Sequence, residues 1–117
     1  MSGFDLSTSV GECNIPVVRV SGDLDSYSAP RLRRVLNEML LVPKPRIVLQ
    51  CEGLEYIDSS GLGVLVSALK TANDRSGTVG LAAPQLGVSR VLRITGLDKI
   101  IPIYRTEQEA CGKLGSS

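Results

Sequence analysis

Apolar and polar positions alternate with two different periods along this chain, and the order of these periods predicts the order of its secondary structure. Residues 4–10 (FDLSTSV) alternate between apolar and polar side chains, as half-buried strands do. Short apolar runs predict four further strands, at residues 15–20, 46–51, 78–82 and 100–103.

Apolar residues at a helical period follow two of these runs. One stripe consists of Leu32, Val35, Leu36, Met39 and Leu40, and a second consists of Leu62, Leu65, Val66 and Leu69. Ser28 is the predicted N-cap of the first helix. Pro43 and Pro45 are expected to end that helix, and Gly77 is expected to end the second.

Two further helices are predicted towards the C-terminus. The first covers residues 85–94 and ends at Gly96. The second covers residues 106–114, where Thr106 and Glu109 have the spacing of a capping box.

The resulting order, β-β-α-β-α-β-α-β-α, predicts an α/β fold. Alternating strands and helices favour a mixed, mostly parallel sheet flanked by helices. The first two strands are expected to form an antiparallel hairpin through a turn at residues 11–14 (GECN). No linker interrupts the pattern, so residues 1–117 are predicted to form one domain.

Composition narrows the range of partners. The chain has 13 Lys plus Arg and 12 Asp plus Glu, and only 3% aromatic residues, so we expect no direct nucleic-acid contact. No apolar run approaches the length of a membrane-spanning helix, and no secretory signal is evident. Cys13, Cys51 and Cys111 are odd in number and widely spaced, which predicts free thiols in a reducing cytoplasm. Cys51 is expected to be a small core residue at the end of a buried strand.

The chain contains no histidine, and this absence excludes several classes of site. Neither a Ser-His-Asp triad nor a Cys-His pair can form, and histidine metal sites are excluded as well. The lysine-containing phosphate loop and the GxSxG nucleophile motif are also missing. We therefore predict a protein that is not an enzyme and that uses no metal or cofactor.

Residues 55–63 (EYIDSSGLG) carry the candidate site, because they join a predicted strand to a predicted helix. Ser59 or Ser60 could cap that helix, and either could accept a phosphate. Gly61 and Gly63 each cost about 1 kcal/mol of helix propensity relative to alanine, which indicates a need for backbone access or tight packing. Spacing alone does not choose between the two serines.

Four separated segments resemble the anti-sigma factor antagonist family, whose fold is the sulfate transporter and anti-sigma antagonist (STAS) domain. They are residues 22–25 (GDLD), 47–49 (IVL), 56–65 (YIDSSGLGVL) and 90–101 (RVLRITGLDKII). The matches stand in the family's order and extend over almost the whole chain. The implied fold agrees with the predicted order of elements.

The resemblance implies a partner-switching function. The unmodified protein would bind an anti-sigma factor with serine-kinase activity, so that a sigma factor is released. That kinase would phosphorylate Ser59 and end the binding, and a serine phosphatase would restore it. Ser60 would be structural, and neither nucleic acid nor membrane would be a direct partner. The implied partner-binding residues are Asp25, Ser26, Tyr27, Asp58, Ser59, Ser60, Gly61, Leu62 and Gly63.

Some alternatives remain open at this point. Asp25 is either a turn carboxylate or a partner contact, and the pattern favours a partly buried edge position for Tyr27. The cluster Arg31, Arg33 and Arg34 is expected to be a solvated face. A STAS domain can also serve as a subunit of a stress-sensing complex or of a lipid or anion transport system.

Overall fold

The computed structural model describes residues 3–11 and 14–115, which form one five-stranded sheet with helices on both faces. The strands are β1 (Phe4–Val10), β2 (Pro16–Leu24), β3 (Arg46–Ile57), β4 (Thr78–Ala82) and β5 (Ile103–Tyr104). They lie side by side in chain order. The β1–β2 pair is antiparallel and the other three pairs are parallel, which confirms the predicted mixed sheet.

Four α-helices alternate with these strands in the predicted order. They are α1 (Ala29–Met39), α2 (Ser59–Asp74), α3 (Leu86–Ile94) and α4 (Glu107–Gly115). At α4, the Thr106 hydroxyl accepts a hydrogen bond of 3.0 Å from the Glu109 N–H, as the predicted capping box requires. A short 3-10 helix, Leu97–Lys99, was not predicted.

The two central strands are longer than predicted, because β2 continues to Leu24 and β3 to Ile57. Their last residues pair with each other, and both side chains are buried. Cys51 is a core residue, as predicted, but it lies in the middle of β3 rather than at its end. Burial raises the pKa of its thiol to about 12.

The last strand was predicted too early in the chain. Residues 100 and 101 belong to a turn, where the N–H groups of both donate to the Leu97 carbonyl. Ile100 is 56% exposed and only Ile101 enters the core. The strand pairing with β4 therefore starts at Ile103.

Two apolar clusters hold the layers together. One face of the sheet packs against α1, α2 and α3, and buries mostly Leu, Ile and Val. The other face packs against α4 through Ile15, Val17, Val48, Ala82, Ala110, Cys111 and Leu114. Burying a Leu, Ile or Val side chain contributes about 1.5–3 kcal/mol, so these layers fix the positions of the loops between them.

The apolar stripe of α2 differs from the predicted one. Leu65 and Leu69 are buried as expected, but Val66 is 38% exposed. The small residues Ala68 and Ala72 are buried instead. The sequence pattern missed them because an alanine is compatible with either face of a helix.

Gly77 follows α2 as predicted, but for a different reason. The left-handed conformation that ends the helix belongs to Ser76, with φ of 63°. Gly77 is needed because a Cβ there would collide with the Pro45 carbonyl.

The predicted turn at residues 11–14 includes Glu12 and Cys13, which lie outside the described residues. At its flanks the Gly11 N–H donates to the Ile15 carbonyl over 2.8 Å. In the described part of the chain, no helix has the length and apolarity needed to cross a membrane. Across residues 3–11 and 14–115, no group of three or more Cys, Asp or Glu side chains is arranged to hold a metal ion.

Candidate partner-binding site

The structure brings the two predicted site segments together at one end of the sheet. Leu24 and Ile57 are register partners in the parallel β2–β3 pair, so the segments that follow these strands emerge side by side. The Asp58 N–H donates to the Leu24 carbonyl over 3.2 Å and joins the two segments directly. This placement agrees with the rule that sites in open α/β sheets lie at the carboxyl ends of strands.

The first segment is a tight turn organised by the Asp25 carboxylate. Its Oδ1 accepts hydrogen bonds from the backbone N–H of Tyr27 (2.9 Å) and of Ser28 (3.1 Å). The Ser28 N–H, followed by the Tyr27 N–H, lowers the pKa of the Asp25 carboxyl, because both donors favour its ionised form. The turn-carboxylate interpretation of Asp25 is therefore confirmed, and a partner contact remains a prediction.

Ser28 occupies the predicted N-cap position of α1, but its side chain does not cap the helix. Its hydroxyl instead donates to the Asp23 carbonyl (2.7 Å) and accepts from the Asp25 N–H (2.9 Å). The residue is buried, so these bonds tie the turn back onto the end of β2.

The second segment begins α2, and its N-cap is Asp58 rather than either serine. The Asp58 Oδ1 accepts from the N–H groups of Ser60 (2.9 Å) and Gly61 (3.2 Å). The capping prediction for Ser59 or Ser60 is therefore wrong. The preceding aspartate satisfies the free donors of the first turn, and its charge suits the positive end of the helix.

The two serines are the first two residues of α2 and differ in exposure. Ser59 is exposed and Ser60 is half-buried. Within the described residues, the Ser59 hydroxyl makes no hydrogen bond, and the Asp58 carboxylate is directed at the later N–H groups of Ser60 and Gly61. The Ser59 side chain is consequently accessible from solvent at the start of the helix.

The two glycines of the motif serve different purposes. A Cβ on Gly61 would lie 2.7 Å from Leu24 Cγ and 2.8 Å from Ile57 Cγ1, so this glycine permits tight packing on the strand ends. Gly63 is exposed and has nothing within 4 Å of an added Cβ. Of the two predicted reasons for glycine here, tight packing applies to Gly61 and an open backbone applies to Gly63.

Two aromatic side chains lie close to these turns on the surface. Tyr27 is 90% exposed, so the prediction of a partly buried edge position is wrong. Tyr56 is 52% exposed at the end of β3, and sequence reasoning did not select it. Its alternation with buried Ile57 is the signal that could have identified it. Ser26 is exposed and Leu62 packs partly against the core.

The arginine cluster of α1 is exposed, as predicted. Arg31 nevertheless has a contact, because its guanidinium lies 5.3 Å from the centre of the Phe4 ring. The same guanidinium donates to the Phe4 carbonyl over 3.4 Å.

Comparison with known proteins agrees with the geometry. The sequence profile described as the STAS domain matches residues 9–110. The chain belongs to the STAS domain family. This confirms the resemblance seen in the sequence.

Among the STAS relatives, the anti-sigma F factor antagonist of Paenibacillus polymyxa is 35% identical over 99 residues, which cover 84% of this chain and 85% of the relative. The anti-sigma-B factor antagonist of Listeria monocytogenes is 39% identical over 95 residues, which cover 80% and 82% of the two chains. The anti-sigma factor antagonists of this family are regulatory binding proteins rather than enzymes.

A solved structure of an anti-sigma factor antagonist from Mycobacterium paratuberculosis has the same fold. It superposes with a TM-score of 0.85, at 26% identity, over 96% of this chain and 94% of that one. The fold class predicted from the sequence is thus confirmed by an independent structure.

Proposed function

We propose that this STAS protein is an anti-sigma factor antagonist that acts as a partner switch. Its unphosphorylated form binds an anti-sigma factor that has serine-kinase activity, and a sigma factor is released. Phosphorylation of Ser59 by that kinase ends the binding, and a serine phosphatase restores it. The antagonist function is supported by relatives that are anti-sigma F and anti-sigma-B factor antagonists, and the switch is supported by the geometry at the ends of β2 and β3.

The proposed binding face consists of the exposed and half-exposed parts of the two joined turns. It contains the side chains of Asp25, Ser26, Tyr27, Asp58, Ser59, Ser60 and Leu62, together with the open backbone at Gly63. Gly61 lies beneath this face and shapes it by letting α2 approach Leu24. A tyrosine that is 90% exposed is suited to this role, because aromatic side chains are enriched at the anchor positions of interfaces.

The observation that carries the proposal is the exposed hydroxyl of Ser59 beside a carboxylate that already caps the helix. A phosphate would add about −1.5 to −2 charges at neutral pH. The Ser60 and Gly61 N–H groups, which could have neutralised part of that charge, are already occupied by Asp58. The phosphate would therefore meet an existing negative charge.

Such a change would act on the interface rather than on the fold. Ser59 makes no side-chain hydrogen bond to the described residues, so its modification breaks none within them. A partner surface that had accepted a neutral hydroxyl would have to desolvate and oppose an added dianion. The switch requires no large rearrangement of the protein.

The test is to incubate the purified protein with ATP and a lysate of its native cells, and to locate phosphate by mass spectrometry. We expect stoichiometric phosphate on Ser59 and none after Ser59→Ala, whereas Ser60→Ala is the matched control and should still be phosphorylated. Stoichiometric phosphate on Ser60 would overturn the choice of site.

The identity of the retained partner separates this function from other functions of STAS domains. The immobilised protein is expected to retain an ATP-binding kinase, in keeping with a cytoplasmic site of action. Retention of a transporter ATPase or permease, or of a large stress-sensing complex, would reject partner switching.

A further inference from the structure

The outer edge of β1 is open over half of its length. Leu6 and Val20 are register partners, and Val20 is buried against the helices, so the side chains of even-numbered β1 residues lie on the α1 face. The Leu6 N–H donates to the Asp5 Oδ1 over 3.1 Å rather than to a neighbouring strand. Since Val10 lies opposite Pro16, which has no N–H, the even-numbered residues direct their backbone groups away from β2.

The two halves of the β1 edge differ in whether their outward backbone groups are blocked from pairing with another strand. Arg31 covers the Phe4 carbonyl, and Asp5 occupies the Leu6 N–H. Beyond Leu6, β1 carries no charged residue and no proline, which are the usual means of blocking an edge strand. Within the described residues, the outward groups of Thr8 and Val10 have no backbone partner.

An apolar groove lies beside the open half. Thr8, Val10, Val35 and Met39 line it together with Glu38, and its volume is about 520 Å³. Val10 is 66% exposed there, so an added strand would cover apolar surface as well as the backbone groups.

We propose that the open half of β1 binds β1 of a second copy of this chain, antiparallel and centred on Thr8. In that register Thr8 lies opposite Thr8 of the other copy, and Leu6 lies opposite Val10. The Thr8–Thr8 pair is of a kind that stabilises neighbouring strands, and the Leu6–Val10 pair would bury exposed apolar surface. Asp5 lies opposite Gly11, so no like charges face each other.

The charges of α1 fit the same two-fold arrangement. Arg31 and Glu38 lie on the flank of α1 that faces β1, since Arg31 contacts Phe4 and Glu38 lines the groove. A two-fold axis near Thr8 reverses the direction of the second α1, which brings Arg31 of one copy towards Glu38 of the other. This complementarity favours a second copy over an unrelated strand.

The proposal does not depend on the function of Ser59, which lies at the start of α2, away from the open half of β1. The test is sedimentation or light scattering of the full chain from about 1 μM to about 1 mM, a range that covers weak self-association. We expect a monomer–dimer equilibrium and, at high concentration, slower hydrogen exchange of the Thr8 and Val10 N–H groups.

Matched variants test the register. Thr8→Lys places two like charges opposite each other and is expected to raise the dissociation constant at least tenfold, whereas Ser9→Lys adds the same charge opposite Ser7 and should change it less than about threefold. Glu38→Arg should weaken the dimer, and Glu38→Arg combined with Arg31→Glu should restore it.

Circular dichroism of each variant separates a lost dimer from a lost fold. Thr8→Pro gives a second variant, because proline removes the outward N–H and leaves the hydrogen bonds to β2 in place. A monomer at every concentration would overturn the proposal, as would a dimer insensitive to Thr8→Lys. Hydrogen exchange of the Thr8 and Val10 N–H groups could instead slow only after the kinase partner is added. That result would assign the edge to a strand of the partner.

Discussion

In the turn after β2, Asp25 accepts hydrogen bonds from two backbone N–H groups, and in the turn after β3, Asp58 does the same. The serines near these two carboxylates differ in burial and in hydrogen bonding. Ser28 is buried and uses its hydroxyl to join Asp23 to Asp25, whereas Ser59 is exposed and its hydroxyl is bonded to no described residue.

The difference separates a structural serine from an accessible one. In the turn after β2, the aspartate accepts from the backbone N–H groups and the serine bonds to the strand end, so that serine is buried and unavailable. Where the aspartate satisfies the helix end by itself, the neighbouring serine remains available for modification. Four predictions test this comparison, from the largest expected effect to the smallest.

Substitutions at Ser59 should alter partner binding more than any at Ser28 that preserves the fold. Ser59→Glu places a charge beside Asp58 in the proposed interface, and we expect it to weaken binding of the retained kinase at least tenfold, about 1.4 kcal/mol. Ser59→Ala should keep the affinity within about threefold, measured by titration calorimetry. Equal affinities for the glutamate and alanine variants would contradict a charge-based switch.

For the free energy of unfolding, substitution of Ser28 should have a larger effect than substitution of Ser59. Ser28→Ala removes the hydroxyl partner of the half-buried Asp23 carbonyl and Asp25 N–H, and is expected to lower the free energy of unfolding by about 1–2 kcal/mol. Ser59→Ala should change it by less than about 0.5 kcal/mol. Urea denaturation of both variants measures these changes. Similar losses of unfolding free energy would contradict the assignment of a structural role to Ser28 and not to Ser59.

Alanine substitutions at the two glycines of α2 should have effects of opposite sign. Gly61→Ala forces a Cβ to within 3 Å of Leu24 and Ile57, and overpacking of this kind costs about 1–3 kcal/mol. Gly63→Ala meets open space, so it should raise stability by up to about 1 kcal/mol through helix propensity. Thermal unfolding measures both, and a stabilised Gly61→Ala would contradict the packing assigned to that position.

The smallest effect concerns pH. The pKa of the Asp25 carboxyl is lowered by the Ser28 and Tyr27 N–H groups, so its ionised form is favoured in the folded state. Its contribution to stability is therefore complete above the unfolded pKa, about 3.9, and is lost as pH falls through the lower folded-state pKa.

The free-energy difference between wild type and Asp25→Asn should accordingly shrink below about pH 4, as measured by denaturation at successive pH values. Titration of the Asp25 carboxyl carbon by NMR provides the direct control. A midpoint at or above the ordinary value would contradict the hydrogen-bond pattern.

Local sequence predicted the elements well where their signals are local. The strand at residues 4–10, the stripe of α1 and the cap at Thr106 depend on neighbours in the chain, and all three were confirmed, although the burial of that strand alternates only as far as Leu6. The errors occurred where distant contacts decide. The ends of β2 and β3 depend on each other, and Val66 is exposed because other residues of α2, among them Ala68 and Ala72, face the core.

The sequence by itself determined the order of strands and helices, the family and the absence of histidine chemistry, and it indicated residues 55–63 as the candidate site. These follow from periodicity, composition and local motifs. Only the tertiary structure decided that Asp58 rather than a serine caps α2, that Gly61 is packed and Gly63 open, and that Tyr27 is exposed. The packing of Gly61 depends on where β2 ends beside β3, and contacts across that register are not encoded in the spacing of either segment alone.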